Sequence, residues 1–449
     1  MLGPGVAAAR ASKALSRVAR RGGTTLPGRV LLRMEPKAID RLGERLAGGS
    51  VLVSATNGKT TTASMLSSAL ERAGRDLVHN RAGSNMNWGI ATALLEADAR
   101  RDQLGLFEVD EFWLPEMARA LDPQLLLLSN LFRDQLDRYG ELDLIADRWA
   151  AVVAERAGRA RFVLNADDPL VADLGRDRES VVYFGMEDDS HSLAELEHAS
   201  DSKRCRNCGH EYVYDAVYLA HMGRYHCPNC GRRRPEPSVA ATRVELDGMR
   251  GSRVHMRTPQ GPLELELPLP GLYNVYNALA ATTAALELGV SPAGVKAGLE
   301  SFAGAFGRVE RIELSGHELL ILLVKNPAGA NEVLRTLALE DGQLDLWIAL
   351  NDRIADGRDI SWVWDADFEL IAPRLRRVTC SGTRAEEMAL RLKYAGVAAP
   401  IRTDRDLARS LDAAVADAEG VLYALPTYTA LLDLRDLLAQ RGVARRWSE

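Results

Sequence analysis

The run VLVSATNGKTTTASML, Val51 to Leu66, constrains this chain more than any other stretch. An apolar strand ends in small residues, passes through Asn57, Gly58 and Lys59, and becomes a helix-like pattern. A loop between strand and helix points backbone N–H groups at an anion, and the helix dipole and a lysine add positive charge. Thr56, Asn57, Gly58, Lys59, Thr60 and Thr61 form such a loop. Lys59 would reach the β- and γ-phosphates of a nucleotide, and the Thr60 hydroxyl would ligate Mg²⁺. The full phosphate-loop signature wants a glycine where Val53 stands, so the generic match is incomplete. The other reading of Gly58-Lys59-Thr60 is a plain strand-to-helix turn with an exposed lysine.

The surroundings support a nucleotide fold. Between Val51 and Asn165 the apolar runs VLVSA, LGLFEV, LLLLSN and RFVLNA alternate with helical patterns. That alternation predicts a mostly parallel sheet with helices on its faces. At residues 202–237 the texture changes to Cys, Arg, Asn, Gly and Tyr, which reads as an inserted ribbon. A second α/β pattern starts near Glu313, with LLILLVKN, LDLWIALND, RRVTCSG and GVLYALPTYTALLDLRDLL. For 449 residues, two or three domains are expected. The predicted division is a basic segment at 1–45, an ATP-binding domain at 46–310 carrying the ribbon, and a C-terminal α/β domain at 311–449.

Charge and hydropathy exclude other classes. The net charge of −6 provides no basic field for nucleic acid. No apolar run approaches the ~20 residues that span a bilayer. The N-terminus is basic, with six arginines and one lysine up to Arg33 and no acid before Glu35. It reads as an amphipathic helix packing on the body or as a contact with an anionic membrane.

Four of the five cysteines form two pairs, Cys205 with Cys208 and Cys227 with Cys230, in the spacing C-x2-C-x18-C-x2-C. Two such turns close four thiolates into a tetrahedron around Zn²⁺. A closed four-cysteine site does no chemistry, so this zinc is expected to be structural. Arg232, Arg233 and Arg234 follow directly and are expected to be solvated.

The loop has company in the sequence. ATNGKTT resembles the phosphate loop of the Mur ligases and folylpolyglutamate synthases, and NLFRDQLDRYGELD resembles their DHLDR segment. NADDPL, GLYNVYNALAA and FGRVERIE match further blocks in the same order. The inserted ribbon together with LVKNPAGANEVL, ALNDRIADGRDISWVWDADFE and LPTYTALLDLR narrows the likeness to the Mur-ligase-like subunits of lipid II isoglutaminyl synthases. The resemblance implies a Mur-ligase central ATPase domain, α/β with a phosphate loop, and a C-terminal Rossmann-like domain. Where Mur ligases carry a UDP-sugar domain, only residues 1–45 precede the loop. The chain departs from the family at Gln135, where the family's metal-binding histidine stands. It has no lysine between Lys59 and Lys203 to be carbamylated, and it has Val324-Lys325-Asn326-Pro327 where relatives have His-Asn-Pro.

The resemblance also implies a reaction: ATP-dependent amidation of the α-carboxyl of D-glutamate in the lipid II stem peptide, giving D-isoglutamine. Thr60 and Glu108 are the candidate Mg²⁺ ligands, and Asn274 and Arg308 match positions near the nucleotide. The implied partner is a glutaminase subunit, GatD, of the class I glutamine amidotransferase type. No Cys-His nucleophile pair is evident in this chain, whose remaining cysteine is Cys380. An acid of this chain would orient the partner's histidine, with Asp352 the first candidate and Asp356 the second. Peripheral contact with the membrane is expected because lipid II resides there. Two rivals stand beside this reading: an amino-acid-adding ligase, and a zinc-ribbon nucleic-acid module with an ATPase.

Overall fold

The computed structural model describes residues 3–18, 25–81, 84–133, 142–197, 200–302 and 309–444. Its larger sheet has nine strands: β1 (Ser50–Ser54), β2 (Asp76–His79), β3 (Gln103–Glu108), β4 (Leu125–Leu128), β5 (Arg161–Asn165), β6 (Val181–Met186), and then β9 (Val239–Asp247), β10 (Gly251–Thr258) and β11 (Gly261–Leu267). The order is β11-β10-β9-β6-β5-β4-β1-β3-β2, parallel except at β10 and β11. Strands β7 (Val213–Leu219) and β8 (Met222–His226) form a separate antiparallel hairpin inside the cysteine-rich insert.

The apolar runs are continuous because both faces of the sheet are covered. Side chains alternate across a strand, so Val51 and Val53 enter one core while Leu52 enters the other. Leu125 and Leu127 divide from Leu126 and Leu128 in the same way. The first core packs under the helices Lys59–Arg72, Leu272–Glu287 and Pro292–Glu300, and the second under Asn87–Leu94, Leu114–Leu121 and Leu142–Glu155.

The smaller sheet has six strands: β12 (Glu310–Leu314), β13 (His317–Ile321), β14 (Leu344–Ala349), β15 (Leu375–Ser381), β16 (Ile401–Thr403) and β17 (Leu422–Pro426). Its order is β12-β13-β17-β14-β15-β16, and only β12 runs antiparallel to its neighbour. Leu346 and Ile348 face one core, Trp347 and Ala349 the other.

In both sheets the chain reverses direction across one strand. β1 lies between β3 and β4, and β14 lies between β15 and β17. Loops leaving the carboxyl ends of such neighbouring strands diverge and open a crevice, which is where open α/β sheets bind ligands. The topology therefore gathers residues 55–58, 109–113 and 129–133 at one crevice and residues 350–356, 382–384 and 427–429 at the other.

The basic N-terminus is helical over Gly3–Val18, and Ala9 in it is fully buried. Arg10 donates to the Leu95 carbonyl at 3.1 Å. The next helix, Leu26–Met34, lies directly on Asn87–Leu94: a Cβ at Gly28 would sit 1.8 Å from the Trp88 carbonyl oxygen, so only glycine admits this approach. Among the described residues no helix is long and apolar enough to cross a membrane.

Candidate active site

Gly58 enters the helix Lys59–Arg72 with a φ of 85°, and a Cβ there would lie 2.0 Å from Asn277 Oδ1. The position thus requires glycine twice over, for its dihedral and for space. The loop is held by its neighbours at the crevice. Asn57 N donates to Asn130 Oδ1 at 2.8 Å, and Asn130 Nδ2 returns a bond to the Asn57 carbonyl at 3.0 Å. The Thr56 hydroxyl accepts from Phe132 N at 3.0 Å, which makes Thr56 a buried strut of the loop and not part of its open face. Asn57, Gly58 and Thr61 do face the adjoining pocket. Thr60 is half-buried in the first turn of the helix.

Lys59 is buried beneath the loop. Its Nζ pairs with Glu111 Oε2 at 2.8 Å and donates to the carbonyls of Ala55 and Thr56. Burial alone would pull the ammonium pKa down, but Glu111, Asp110 and Glu108 outweigh it and hold it above the ordinary value. Burial pushes the Glu111 carboxyl up, and Lys59 and Lys325 more than reverse that, leaving it below the ordinary range. Both groups are therefore charged across the neutral range. Glu108, at the end of β3, is 3% exposed and accepts from Asn85 Nδ2 at 3.3 Å. A threonine hydroxyl and a carboxylate are hard oxygen donors of the kind Mg²⁺ takes, so Thr60 and Glu108 fit the ion chemically.

Beside the loop is a pocket shared by the two sheets' domains. Tyr273, Tyr276 and Asn277 line one side, Leu323, Lys325, Glu332 and Val333 another, and Leu219 and Met222 at the tip of the β7–β8 hairpin a third. The walls are joined across the crevice: Asn57 and Asn326 exchange side-chain amide bonds at 3.3 and 2.9 Å. Apolar and aromatic walls against a phosphate loop suit a purine nucleoside. Burial raises the Glu332 carboxyl to about 7, against the pull of Arg335 and with help from Glu197. Asn274 does not line the pocket; it donates to the Pro270 carbonyl at 2.7 Å and accepts from Asn277 Nδ2 at 3.1 Å. The contact residue is Asn277, one helical turn on. Arg308 and Gln135 lie outside the described residues.

The second crevice carries Asp352 and Asp356. The Asp352 side chain is 24% exposed and accepts from Thr383 Oγ1 and Arg384 Nε, each at 2.8 Å. The Thr383 bond, with Arg384 behind it, lowers its pKa. Asp356 is buried and accepts from Thr429 N at 2.7 Å and from the Thr429 hydroxyl. Desolvation leaves its pKa raised. The two acids thus divide: Asp352 presents a carboxylate, whereas Asp356 fixes the loop to the start of the helix Tyr428–Gln440.

The four ribbon cysteines converge. Cys205 and Cys230 sulfurs are 3.6 Å apart, Cys208 and Cys227 3.4 Å, and all four lie within 4.8 Å of one another. A tetrahedron with ~2.3 Å Zn–S bonds has edges of about 3.8 Å, so the cluster fits zinc. The arginines after it are a correction to the expected solvated face. Arg232 pairs with Asp173 at 2.9 Å, and Arg234 bonds Asp167 at 2.5 Å and Glu187 at 2.8 Å. Those acids follow β5 and β6, so the arginines bolt the ribbon to the sheet; Arg233 alone is exposed.

Glu111, Asn130, Asn277, Lys325 and Glu332 complete the site without having been singled out from the sequence. Glu111 stands in the same LFEVDE stretch as Glu108, and Asn130 opens the NLFRDQLDR segment.

Residues 53–230 match the model of the Mur ligase middle domain, and residues 323–431 that of the MurT ligase C-terminal region. The lipid II isoglutaminyl synthase (glutamine-hydrolyzing) subunit MurT of Staphylococcus aureus is 33% identical over 431 residues, 96% of each chain. The same subunit of Streptococcus pneumoniae is 32% identical over 98% of each chain. A UDP-N-acetylmuramoylalanine–D-glutamate ligase of Agrobacterium fabrum is 26% identical over 82% of this chain and 64% of its own. Among solved structures, a pseudomurein peptide ligase type C from Methanothermus fervidus superposes with a TM-score of 0.69 at 23% identity, covering 88% of this chain and 79% of its own. MurF from Acinetobacter baumannii superposes at 0.64 and 19%, covering 90% and 78%. Those structures share the fold; the sequence relatives go further, and the chain belongs to the MurT family of Mur-ligase-like proteins.

Proposed function

We propose that this protein is the ATP-dependent synthetase subunit of a lipid II isoglutaminyl synthase, a carbon–nitrogen ligase that uses glutamine as amido donor. The observation that carries the reading is the phosphate loop with its buried Lys59–Glu111 pair, in a chain that aligns with that subunit over nearly its whole length.

A carboxylate does not react with an amine at neutral pH because its oxygen leaves poorly. In the proposed reaction the D-glutamate α-carboxylate takes the γ-phosphoryl group of ATP, releasing ADP. Ammonia then attacks the acyl carbon, and phosphate leaves with the electron pair. Catalysis of such a transfer is mainly positioning and charge neutralisation. Lys59 neutralises phosphate charge once Glu111 yields it, and Asn57, Gly58 and Thr61 present backbone and side-chain donors. The pocket of Tyr273, Tyr276 and Asn277 takes the nucleoside, with Asn274 supporting Asn277. Thr60 and Glu108 would hold Mg²⁺, which would add charge neutralisation at the phosphates. Zinc, held by the four cysteines, would stabilise the ribbon only.

Ammonia is mostly protonated in neutral water, so a partner that releases it in place would supply the nucleophile at low ammonium. The relatives are named as subunits, and GatD, a glutaminase, fits that need. Asp352 is the acid offered to its histidine, because Asp356 is buried in bonds to Thr429. Lipid II would be met at the membrane surface, with ATP in the pocket between the two domains and the partner at the second crevice.

The test mixes the chain with ATP, Mg²⁺, lipid II and ammonium chloride and follows the stem peptide by mass spectrometry. The expected result is the small mass decrease of hydroxyl replaced by amine, with ADP formed in equal amount. Addition of a whole amino-acid residue from a supplied pool would contradict it and favour an amino-acid-adding ligase.

A further inference from the structure

A line of stacked side chains begins one residue beyond Glu111, the partner of Lys59. Arg148 lies 4.2 Å over the Phe112 ring; Phe112 meets Trp113 edge-on at 6.3 Å; Trp113 meets Trp88 at 6.1 Å; Arg29 lies 4.8 Å over Trp88. The ladder is continuous, cationic at both ends and aromatic between. It draws on four separate parts of the chain: the helix Leu26–Met34, the start of Asn87–Leu94, the loop after β3, and the helix Leu142–Glu155.

Arg133, Arg156 and Arg234 are each committed to acids. Arg29 and Arg148 have no side-chain hydrogen bond or ion pair among the described residues; each lies over a ring face. Phe112 is 39% exposed and Arg29 is exposed, so the ladder reaches solvent. Stacked, unpaired guanidiniums keep their forked donors free for phosphate oxygens. The exposed Phe112 ring, beside half-buried Trp113 and Trp88, suits the C–H face of a sugar ring.

We propose that this ladder binds the saccharide–pyrophosphate headgroup of the lipid-linked substrate; the inference rests on the reading of lipid II as that substrate. Covalent reach supports it. In a muramoyl-alanyl-D-glutamyl chain one residue separates the sugar from the glutamate, and an extended residue spans at most ~3.6 Å. With the glutamate carboxyl at the γ-phosphate end of the loop, the sugar falls within roughly 10 Å of it. The aromatic rungs follow Glu111 directly in the chain, and the arginines carry the charge opposite to that of a pyrophosphate. The helix Leu26–Met34, held close to Asn87–Leu94 at Gly28, supplies Arg29 to the headgroup.

The experiment compares wild type with the double variant Arg29→Ala, Arg148→Ala in ammonium-driven amidation. Two substrates are used: lipid II in detergent, and a soluble muramoyl peptide with the same stem but no pyrophosphate. Loss of two charge-assisted contacts raises KM for lipid II about tenfold or more, with kcat, KM for ATP and the soluble substrate changed less than about twofold. The lysine pair Arg29→Lys, Arg148→Lys recovers part of the loss. An unchanged KM for lipid II in a folded, active double variant overturns the ladder as a headgroup site. An equal loss on the soluble substrate overturns it too, by placing the arginines in the chemistry. Binding of the wild type to phosphatidylglycerol vesicles without lipid II, abolished in the double variant while KM for lipid II stays put, would make the patch a general membrane contact and also overturn it. A wild type that amidates neither substrate refutes the functional reading itself, a result distinct from all of these.

Discussion

The two crevices arise from the same topology and are finished in opposite ways. At the carboxyl end of β1 the charged groups are roofed over: Lys59 and Glu111 are 6% and 8% exposed and satisfy one another. At the carboxyl end of β14 the Asp352 carboxylate reaches the surface, steadied by Thr383 and Arg384. A buried ion pair in a pocket is complete within the chain and waits for a ligand that can outbid Glu111. An oriented carboxylate at the surface has its chemistry still outside the chain. The proposed function follows this difference: ATP chemistry at the first crevice and service to a second subunit at the other.

The largest effect that would sharpen this contrast is Lys59→Ala. It removes the phosphate-facing cation and leaves Glu111 buried beside Lys325 alone. Amidation should fall by about 10³-fold with either ammonium or glutamine as nitrogen source. Folding stability should drop by about 3 kcal/mol in denaturant titration. Glutamine hydrolysis by the complex should persist, since the second crevice is untouched; its loss would break the comparison.

Removing zinc comes next. The cysteine end of the ribbon buries only a small cluster, Tyr212 and Tyr225 against Ala172, so metal would carry much of that end's folding, whereas the hairpin tip packs Tyr218, Leu219 and Met222 into the first core. The hairpin it anchors also carries Leu219 and Met222 into the nucleotide pocket. Cys227→Ser, or chelation, should therefore raise KM for ATP by about tenfold while leaving the surface around Asp352 competent. Unchanged ATP affinity in zinc-free protein would separate the ribbon from the pocket.

The smallest effect concerns Glu332. Its carboxyl keeps a proton in the folded protein up to about 7, whereas the unfolded chain releases it near 4.5. The folded state binds the extra proton in that window, so this group's contribution to stability falls as pH rises through it, by up to ~1.4 kcal/mol per pH unit. Glu332→Gln should flatten the pH dependence of Tm between those limits. A slope identical to wild type would remove Glu332 as its source.

Much of this was legible in the sequence because local pattern and global fold agree. The runs around Val51 and Leu125 are apolar throughout because both faces of their strands are buried. The cysteine spacing announces its own tetrahedron. Asp352 is singled out through a matching motif, and the structure adds only that its carboxylate reaches the surface beside Thr383 and Arg384. What escaped depends on distant elements meeting. Glu111 gains meaning only when β3 ends beside β1, and Asn130 only when β4 flanks it on the other side. Asn277 differs from Asn274 by one helical turn, which decides the side chain that reaches Gly58. Arg232 and Arg234 read as solvated because their acids, Asp173 and Asp167, lie about sixty residues earlier and come near only through the fold. A Mur-type likeness alone also gave no sign that Thr56 would serve the loop as a strut.

The most direct test of the account is the Asp352→Ala variant in complex with the glutaminase subunit, assayed for lipid II amidation with glutamine and, in parallel, with ammonium chloride. The account predicts a loss of about 10⁴-fold with glutamine, because a histidine without its orienting acid loses that order of rate, and wild-type turnover with ammonium. Equal activity on both nitrogen sources, or equal loss on both, would contradict the separation of the two crevices on which the account rests.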